Sequence, residues 1–266
     1  MKSFLAKAYL WVLLIMLYAP ILLIAIFSFT EAKVLGNWNG FSFGLYRSLF
    51  TLGSHTSLMD AVANTLIIGL VSSTFATLLG TISAIGIFNI RNKKIKGTMS
   101  TLNNISILNA DIITGVSLFL LFVSLGVTQG YVTLTLAHIT FCTPYVVLSV
   151  MPRLQQMNPN TYEAALDLGA TPFQALWKVI IPQVKGGMVA GFILSFLLSI
   201  DDFEVSVFNL GTNGLQTLST FIYADSRKGG LTPELRPLIT IFFLIILAIL
   251  IYANVKSAKQ KKTSKA

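Results

Sequence analysis

Long apolar stretches alternate with shorter polar segments along the whole chain. Six of these stretches approach or exceed the roughly 20 residues with which a helix crosses the hydrocarbon core of a bilayer. They cover residues 8–30, 61–90, 105–127, 131–151, 184–208 and 238–255. The pattern predicts an all-α polytopic membrane protein with six transmembrane helices.

The composition supports a membrane protein and excludes several other classes. Charged residues make up 11% of the 266 residues and hydrophobic residues 54%, whereas soluble domains carry roughly 25% charged residues. So few charges cannot cover the surface of a soluble protein of this size. The single cysteine, Cys142, excludes an internal disulfide framework and a cysteine-based metal cluster. We predict neither a metal site nor a cofactor.

The basic residues indicate how the chain lies in the membrane. With the N-terminus inside, 14 of the 19 Lys and Arg residues fall on the inner face. The predicted spans contain no Lys or Arg except Lys185, which lies at the start of the fifth span. The positive-inside rule therefore places both termini in the cytoplasm. The basic tail, residues 256–266, is interpreted as an anchor for anionic lipid. Because no basic patch is interleaved with aromatic residues, we expect no nucleic-acid partner.

The loop after the fourth span, residues 152–183, is cytoplasmic by this count and contains signals for two short helices. Asn158 can act as an N-cap, with Pro159 at the first helical position. Gly169 is a natural left-handed stop for this helix. Thr171 and Gln174 then form a capping box for a second helix. The pattern predicts two capped helices joined at a glycine, which we call the hairpin.

The second predicted helix carries one apolar stripe, formed by Phe173, Leu176, Trp177 and Ile180. We expect Phe173 and Trp177 to hold the hairpin against the spans, and Pro182 to mark the approach to the fifth span. From these residues the hairpin has two interpretations. It is either a helix pair that lies against the membrane surface or a docking element for a soluble partner.

The residue order of the hairpin resembles the EAA signature found in the permeases of ABC importers. The matching residues are Glu163, Ala164, Ala165, Gly169, Val179, Ile181 and Pro182. Val179 and Ile181 stand where the family often has Ile and Leu. A glycine at this spacing makes the match more specific than an isolated Glu-Ala-Ala. The resemblance implies a type I ABC-importer permease fold, in which this loop forms a coupling helix that sits in a cleft of the ATPase subunit.

The resemblance also implies which residues couple this chain to an ATPase: Glu163, Ala164, Ala165, Gly169 and Pro182. The two alanines permit a close approach to a partner surface, and the glycine lets the chain turn. The chain has no G-x-x-x-x-G-K-[ST] phosphate loop. We therefore expect a non-catalytic transport subunit, with ATP hydrolysed by a separate protein. A single permease domain is predicted for the whole chain, 1–266, with its core at about 61–255.

Four acidic residues lie in or beside the apolar stretches: Asp111 in the third, and Asp201, Asp202 and Glu204 late in the fifth. Because a charge in hydrocarbon costs several kcal/mol, an acid in a span is a functional hypothesis. On one helix, Asp201 and Glu204 lie about 60° apart, so the acids can line a passage or outer vestibule for a cation. The alternatives are solvation near the outer headgroups, or hydrogen bonding within the bundle or to a partner permease. The isolated His138 is interpreted as a hydrogen-bonded bundle residue.

Most of the chain is similar to the second permease subunit of bacterial spermidine/putrescine importers. The similarity lies in LNADIITGVSLFLLF, HITFCTPYVV, EAALDLGAT and LSFLLSIDDFEVSVF. It implies a location in the bacterial inner membrane and a polyamine substrate, which uncompensated carboxylates in the spans would suit. It also implies a homologous second permease subunit, two ATP-binding cassette ATPase subunits and an extracytoplasmic polyamine-binding protein as partners, besides the membrane lipid.

Three other functions are alternatives. Importers of ferric iron, thiamine or sulfate share the EAA loop, so the solute can be another small molecule. An ion-coupled secondary transporter would use the acids as proton sites, but it needs no docking loop and usually shows repeat symmetry in a longer chain. An intramembrane aspartyl protease would use Asp111 and Asp201, but its YD and GxGD motifs are absent.

Overall fold

The computed structural model describes residues 2–32, 36–50, 56–158, 160–212, 214–228, 232–245, 247, 248 and 251. Within these residues the regular structure is helical, and no strand occurs. The chain forms two compact units, residues 57–221 and residues 1–56 together with 222–266. The basic tail, on which the lipid-anchor prediction depends, lies outside the described residues.

The described helices are, in chain order, α1 (Lys2–Phe27), α2 (Gly44–Phe50), α3 (Thr56–Asn89), α4 (Lys93–Leu108), α5 (Asp111–Ser124), α6 (Tyr131–Gln156), α7 (Thr161–Asp167), α8 (Pro172–Ala175), α9 (Ile181–Asp201), α10 (Glu204–Asn209), α11 (Leu218–Ser226) and α12 (Leu235–Ile245). A π-helical turn, Leu176–Ile180, joins α8 to α9. Helices α4 to α10 lie wholly within the unit 57–221. α3 begins just before this unit and α11 ends just beyond it.

In the unit formed by residues 1–56 and 222–266, aromatic rings pack together after α1. The rings of Phe29, Phe41 and Phe43 lie 5.1 to 5.6 Å apart, centroid to centroid. The buried Arg236 of α12 donates a hydrogen bond from Nη1 to the main-chain oxygen of Ala32 (2.7 Å). This bond ties the segment after α1 to α12.

Four of the described helices are long and apolar enough to cross a membrane: Tyr9–Phe27, Ser57–Asn89, Tyr131–Gln156 and Pro172–Asp201. α4 and α5 make a fifth span if the bent pair is counted as one. The predicted first, second and fourth spans each coincide with one of these helices. α12 is shorter and ends within the predicted sixth span. Most of the remainder of that span, residues 246–255, lies outside the described residues. The helical, polytopic fold class is confirmed, whereas six spans and cytoplasmic termini stay predictions.

The third predicted span, 105–127, is wrong as a single helix. α4 and α5 meet at a break before Asp111, where they are bent by 103°. Asn109 and Ala110 are both extended, and the Asn109 side chain donates from Nδ2 to Thr114 Oγ1 (3.0 Å). The extended backbone at these two residues ends α4, so the apolar stretch does not run straight although it is long enough to cross the membrane.

The helix that corresponds to the fifth predicted span, 184–208, begins and ends earlier in the chain than predicted. α8, the π-helical turn and α9 run as one helix from Pro172 to Asp201, so the second helix of the hairpin is not a separate element. In the π-helical turn, the closing hydrogen bond reaches back five residues to Leu176. Pro182 has no N–H to donate, and the wider turn before it lets the helix continue.

α6 forms the centre of the unit 57–221. Its buried apolar side chains from Ala137 to Leu154 belong to a cluster to which α3 and α9 also contribute. Glycines allow these helices to approach closely. A Cβ at Gly80 of α3 would lie 2.6 Å from Val146 Cβ, and one at Gly187 of α9 would lie 2.9 Å from Ser149 O. A larger residue at either position would force the helices apart.

Candidate functional site

A cavity of about 340 Å³ opens in the unit 57–221, where α5 and α6 face the break between α9 and α10. All four acidic residues that the sequence indicated line it: Asp111, Asp201, Asp202 and Glu204. The other lining residues are Phe141, Tyr145, Leu194, Leu197, Leu198 and Phe203. Acids from the third and fifth predicted spans therefore share one site.

Two helix breaks place the acids around the cavity. Asp111 is the first residue of α5, Asp201 is the last residue of α9, and Glu204 is the first residue of α10. Asp202 and Phe203 between them are not helical, and Asp202 has an extended backbone (φ −64°, ψ 127°). The prediction that Asp201 and Glu204 share one helical face is therefore wrong. They line the same cavity although a non-helical segment separates them.

A close contact at a glycine holds α5 against α10. A Cβ at Gly115 would lie 3.0 Å from both Glu204 O and Val205 Cα. The buried Asn209 donates from Nδ2 to Gly115 O (3.3 Å) and to Val205 O (2.8 Å). Because Asp111 lies about one turn before Gly115, this packing brings the start of α5 to the same cavity as Glu204.

Asp202 differs from the other three acids because its carboxylate is already bonded within the protein. Only 5% of its side chain is exposed. Oδ1 accepts from Val205 N (3.1 Å), and Oδ2 accepts from Ser206 N and from Ser206 Oγ (2.8 Å each). These bonds satisfy N–H groups at the start of α10 that have no helical partner. Asp202 therefore caps α10 while it lines the cavity.

The other three carboxylates, those of Asp111, Asp201 and Glu204, are exposed. Within the described part of the chain, no Lys or Arg side chain forms an ion pair with them. The C-terminal end of α9 adds the partial negative charge of a helix terminus. The rings of Phe141 and Tyr145 can contact a cation through their faces. The cavity is thus suited to a positively charged solute.

The aromatic residues of the cavity carry little signal in the sequence. Phe141 and Tyr145 lie one turn apart on α6, and this spacing is common to any packed helix face. Phe203 lies in the break, where no periodic pattern applies. His138, by contrast, is buried and hydrogen-bonded at both ring nitrogens, which confirms its interpretation as a bundle residue.

The first helix of the hairpin begins later than predicted. α7 runs from Thr161 to Asp167, and Asn160 rather than Asn158 precedes it as the N-cap. Asn158 Oδ1 instead accepts from Asn160 N (3.0 Å), and Asn158 O accepts from Thr161 N (3.0 Å). These bonds form a turn ahead of the helix, so the predicted cap is wrong. Pro159 lies outside the described residues.

The joint between the two parts of the hairpin is as predicted. Gly169 has a φ of +85°, and the next residue, Ala170, donates its N–H to Ala165 O (3.1 Å). This is the Schellman arrangement that ends many helices. Thr171 Oγ1 accepts from Gln174 N (3.3 Å) and Gln174 Oε1 accepts from Thr171 N (3.1 Å), which confirms the capping box.

The hairpin buries smaller residues and exposes its large aromatic ones. Ala175 and Ile180 are buried, whereas Phe173 and Trp177 are 68% and 53% exposed. The two rings lie 6.0 Å apart, centroid to centroid. The prediction that Phe173 and Trp177 hold the hairpin against the spans is therefore wrong. The helix turns the side with Ala175 and Ile180 inward, and the aromatic pair faces away from it.

The residues assigned to coupling are divided between the two faces of the hairpin. Ala165 is buried, whereas Glu163, Ala164, Gly169 and Pro182 are exposed. Ala165 and the helix joint thus fix the shape of the hairpin from within. The four exposed residues are accessible on its surface.

Comparison with known proteins finds relatives over nearly the whole chain. Residues 76–258 match the family model described as "Binding-protein-dependent transport system inner membrane component". The spermidine/putrescine transport system permease protein PotC of Haemophilus influenzae is 34% identical over 258 residues, covering 97% of this chain and 98% of the relative. The putrescine transport system permease protein PotI of Escherichia coli is 34% identical over 231 residues, covering 85% of this chain and 80% of the relative.

Solved transporter structures share the fold. A chain of the MetNI methionine ABC transporter, captured in an inward-facing conformation, aligns with a TM-score of 0.62 at 20% identity, over 78% of this chain and 97% of that chain. A chain of a bacterial ABC transporter that imports the acidic polysaccharide alginate aligns with a TM-score of 0.71 at 15% identity, over 96% of this chain and 95% of that chain. The predicted resemblance is therefore confirmed, and the chain belongs to the family of inner-membrane components of binding-protein-dependent transport systems, the permeases of ABC importers.

Proposed function

We propose that this chain forms part of the pathway by which an ATP-driven importer moves polyamines across the inner membrane. The relatives PotC and PotI are permeases named for spermidine and putrescine. The observation that carries the proposal is the single cavity in which Asp111, Asp201 and Glu204 are exposed, without a basic partner among the described residues. Such a site favours a cation over a neutral or anionic solute.

The chemistry of a polyamine matches the lining of the cavity. A polyamine carries several ammonium groups separated by short alkyl chains, so it needs separated acceptors with apolar surface between them. The three open carboxylates supply the acceptors, and the leucines, Phe141 and Phe203 supply the apolar surface. The volume of about 340 Å³ falls within the roughly 300–1,000 Å³ that small-molecule sites occupy.

The other functions of the importer belong to separate proteins. Two ATP-binding cassette ATPase subunits hydrolyse ATP, a homologous second permease completes the pathway, and an extracytoplasmic binding protein delivers the polyamine. The description of the family as binding-protein-dependent supports the last of these partners. The chain itself is a non-catalytic transport subunit.

We infer that the ATPase binds to the hairpin, and that the resulting movement of the hairpin is transmitted to the cavity. Glu163, Ala164 and Gly169 are exposed on the surface that an ATPase would contact. From Pro172, one helix continues through the π-helical turn to Asp201, a length of about 45 Å at 1.5 Å per residue. A displacement of α7 therefore crosses the joint at Gly169 and then reaches the end of α9 along one helix.

Neutralising Asp201 tests the assignment of the substrate. In the complete complex, Asp201→Asn is expected to lower spermidine uptake by about tenfold, the factor that corresponds to one lost hydrogen bond to a charged group. The amount of assembled complex should not change. Asp60→Asn is the matched control, because Asp60 is an exposed acid of α3 that does not line the cavity.

Two results would contradict the proposal. One is normal spermidine uptake by the Asp201→Asn complex. The other is a wild-type complex that transports ferric iron, thiamine or sulfate but no polyamine, which would reassign the solute while leaving the permease family unchanged.

A further inference from the structure

A buried histidine lies beside the acid-lined cavity. His138 of α6 is fully buried, with Nδ1 2.6 Å from Ser199 Oγ of α9 and Nε2 3.1 Å from Ser206 Oγ of α10. Nε2 also lies 3.4 Å from Oδ2 of Asp202, which lines the cavity. One imidazole ring therefore contacts both sides of the break between α9 and α10.

Polar contacts from two further helices reach the same break. Ser199 Oγ lies 3.1 Å from Ser72 Oγ of α3, and Ser219 Oγ of α11 donates to the main-chain oxygen of Asp202 (2.6 Å). The break is thus held from α3, α6 and α11 at once. We call the side chains bonded to one another here the serine–histidine network: Ser72, His138, Ser199, Asp202 and Ser206.

The position of the serine–histidine network indicates that it stabilises the break between α9 and α10. Buried polar atoms destabilise a fold unless each finds a partner, and apolar side chains can fill the same volume without that requirement. Here the side chains satisfy one another, and they meet where α9 stops and α10 starts. A directional network suits a place where the backbone has to be held in one extended, non-helical conformation.

We propose that His138 is a positioning residue for transport. By holding the serine–histidine network together, it fixes the break between α9 and α10 and sets the directions in which Asp201 and Glu204 enter the cavity. Asp202 then acts inside the protein, as a cap and as a partner of the histidine. This inference rests on the proposed function of the cavity as a polyamine pathway.

The spacing of the acids is what such a residue would control. Spermidine has three amino groups and putrescine has two, so the two solutes require different arrangements of carboxylates. If the break moves, the distance between Asp201 and Glu204 changes. The ratio of spermidine to putrescine transport should then change as well, which a loss of stability alone would not produce.

Two substitutions separate the roles of the ring nitrogens. The amide of His138→Gln reaches the position of Nε2 and keeps the contacts with Ser206 and Asp202, whereas the amide of His138→Asn reaches only the position of Nδ1, beside Ser199. Ser206→Ala removes the contacts of Ser206 Oγ with Nε2 and with Asp202 Oδ2 without changing the ring. Ser73→Ala is the matched control, because Ser73 is also a buried serine but bonds to the backbone of its own helix.

Uptake of spermidine and putrescine is measured in proteoliposomes that contain the complete complex, together with the amount of complex recovered. His138→Asn and Ser206→Ala are expected to lower spermidine uptake by about tenfold, the factor for one lost buried hydrogen bond, and to change the ratio of the two rates. Ser73→Ala should keep the rate and the ratio of the wild-type complex, and His138→Gln, which loses only the Nδ1 contact with Ser199, should lower uptake less than His138→Asn does.

Two results would overturn this inference. One is wild-type uptake by both His138→Asn and Ser206→Ala. The other is a loss of uptake that only follows the loss of recovered complex, with an unchanged ratio, since that indicates packing alone. A wild-type complex that transports neither polyamine would instead contradict the proposed function, so the two failures are distinguishable.

Discussion

Asp201 and Asp202 are adjacent residues whose carboxylates have different surroundings. Asp201 is exposed in the cavity, whereas Asp202 is bonded to the start of α10 and faces His138. The sequence predicts both as pathway acids, because both are carboxylates at the end of one apolar stretch. It does not reveal the division between them, since that depends on where α9 ends and on a histidine more than sixty positions away in the chain.

Replacing Asp202 should therefore lower stability, whereas replacing Asp201 should leave stability unchanged. Asp202→Ala leaves the N–H groups of Val205 and Ser206 without their acceptor, and the loss of a helix cap costs about 0.5–2 kcal/mol. The thermal midpoint of the purified permease complex should fall for Asp202→Ala and stay unchanged for Asp201→Ala. Equal midpoints for the two variants would show that the cap contributes nothing.

At the scale of the elements, hydropathy predicts where most spans lie but not where they break. The first, second and fourth spans are uniformly apolar helices, so an average over twenty residues locates them. The break at Asn109 and Ala110 involves two residues within an apolar stretch, which such an average does not detect. The proline and glycines near the start of α9 suggest a boundary in the sequence, yet the π-helical turn lets the helix pass.

Two glycines of α3 allow a matched test of the helix packing. A Cβ at Gly80 would meet Val146 Cβ at 2.6 Å and Thr143 O at 3.0 Å, whereas a Cβ at Gly86 would meet nothing within 4 Å. Overpacking costs typically about 1–3 kcal/mol, while alanine in an open helical position is favourable by about 0.5–1 kcal/mol over glycine. The thermal midpoint should fall for Gly80→Ala and be unchanged or higher for Gly86→Ala. The opposite order would contradict the observed packing of α3 on α6.

At the scale of the whole molecule, the proposed function depends on one long helix, Pro172–Asp201, and on two breaks, one between α4 and α5 and one between α9 and α10. The helix from Pro172 to Asp201 begins beside the hairpin joint and ends at the cavity, and the breaks gather the acids there. The EAA residues indicate the hairpin from sequence because Gly169 and the capping box at Thr171 are local signals. The connection to the cavity does not follow from sequence, because it requires the second helix of the hairpin and the fifth span to form a single helix. Inside-facing termini stay a prediction from the charge distribution.

The most direct test of this account is ATP-driven spermidine uptake by the reconstituted complex, compared between the wild-type chain and Glu163→Lys. Glu163 is exposed on α7, so the substitution reverses the charge on the surface proposed to contact the ATPase without altering a buried group. The wild-type chain should purify with its ATPase and transport spermidine only with ATP. Glu163→Lys should lose both the bound ATPase and uptake. Uptake that persists in Glu163→Lys with no ATPase bound would contradict the account.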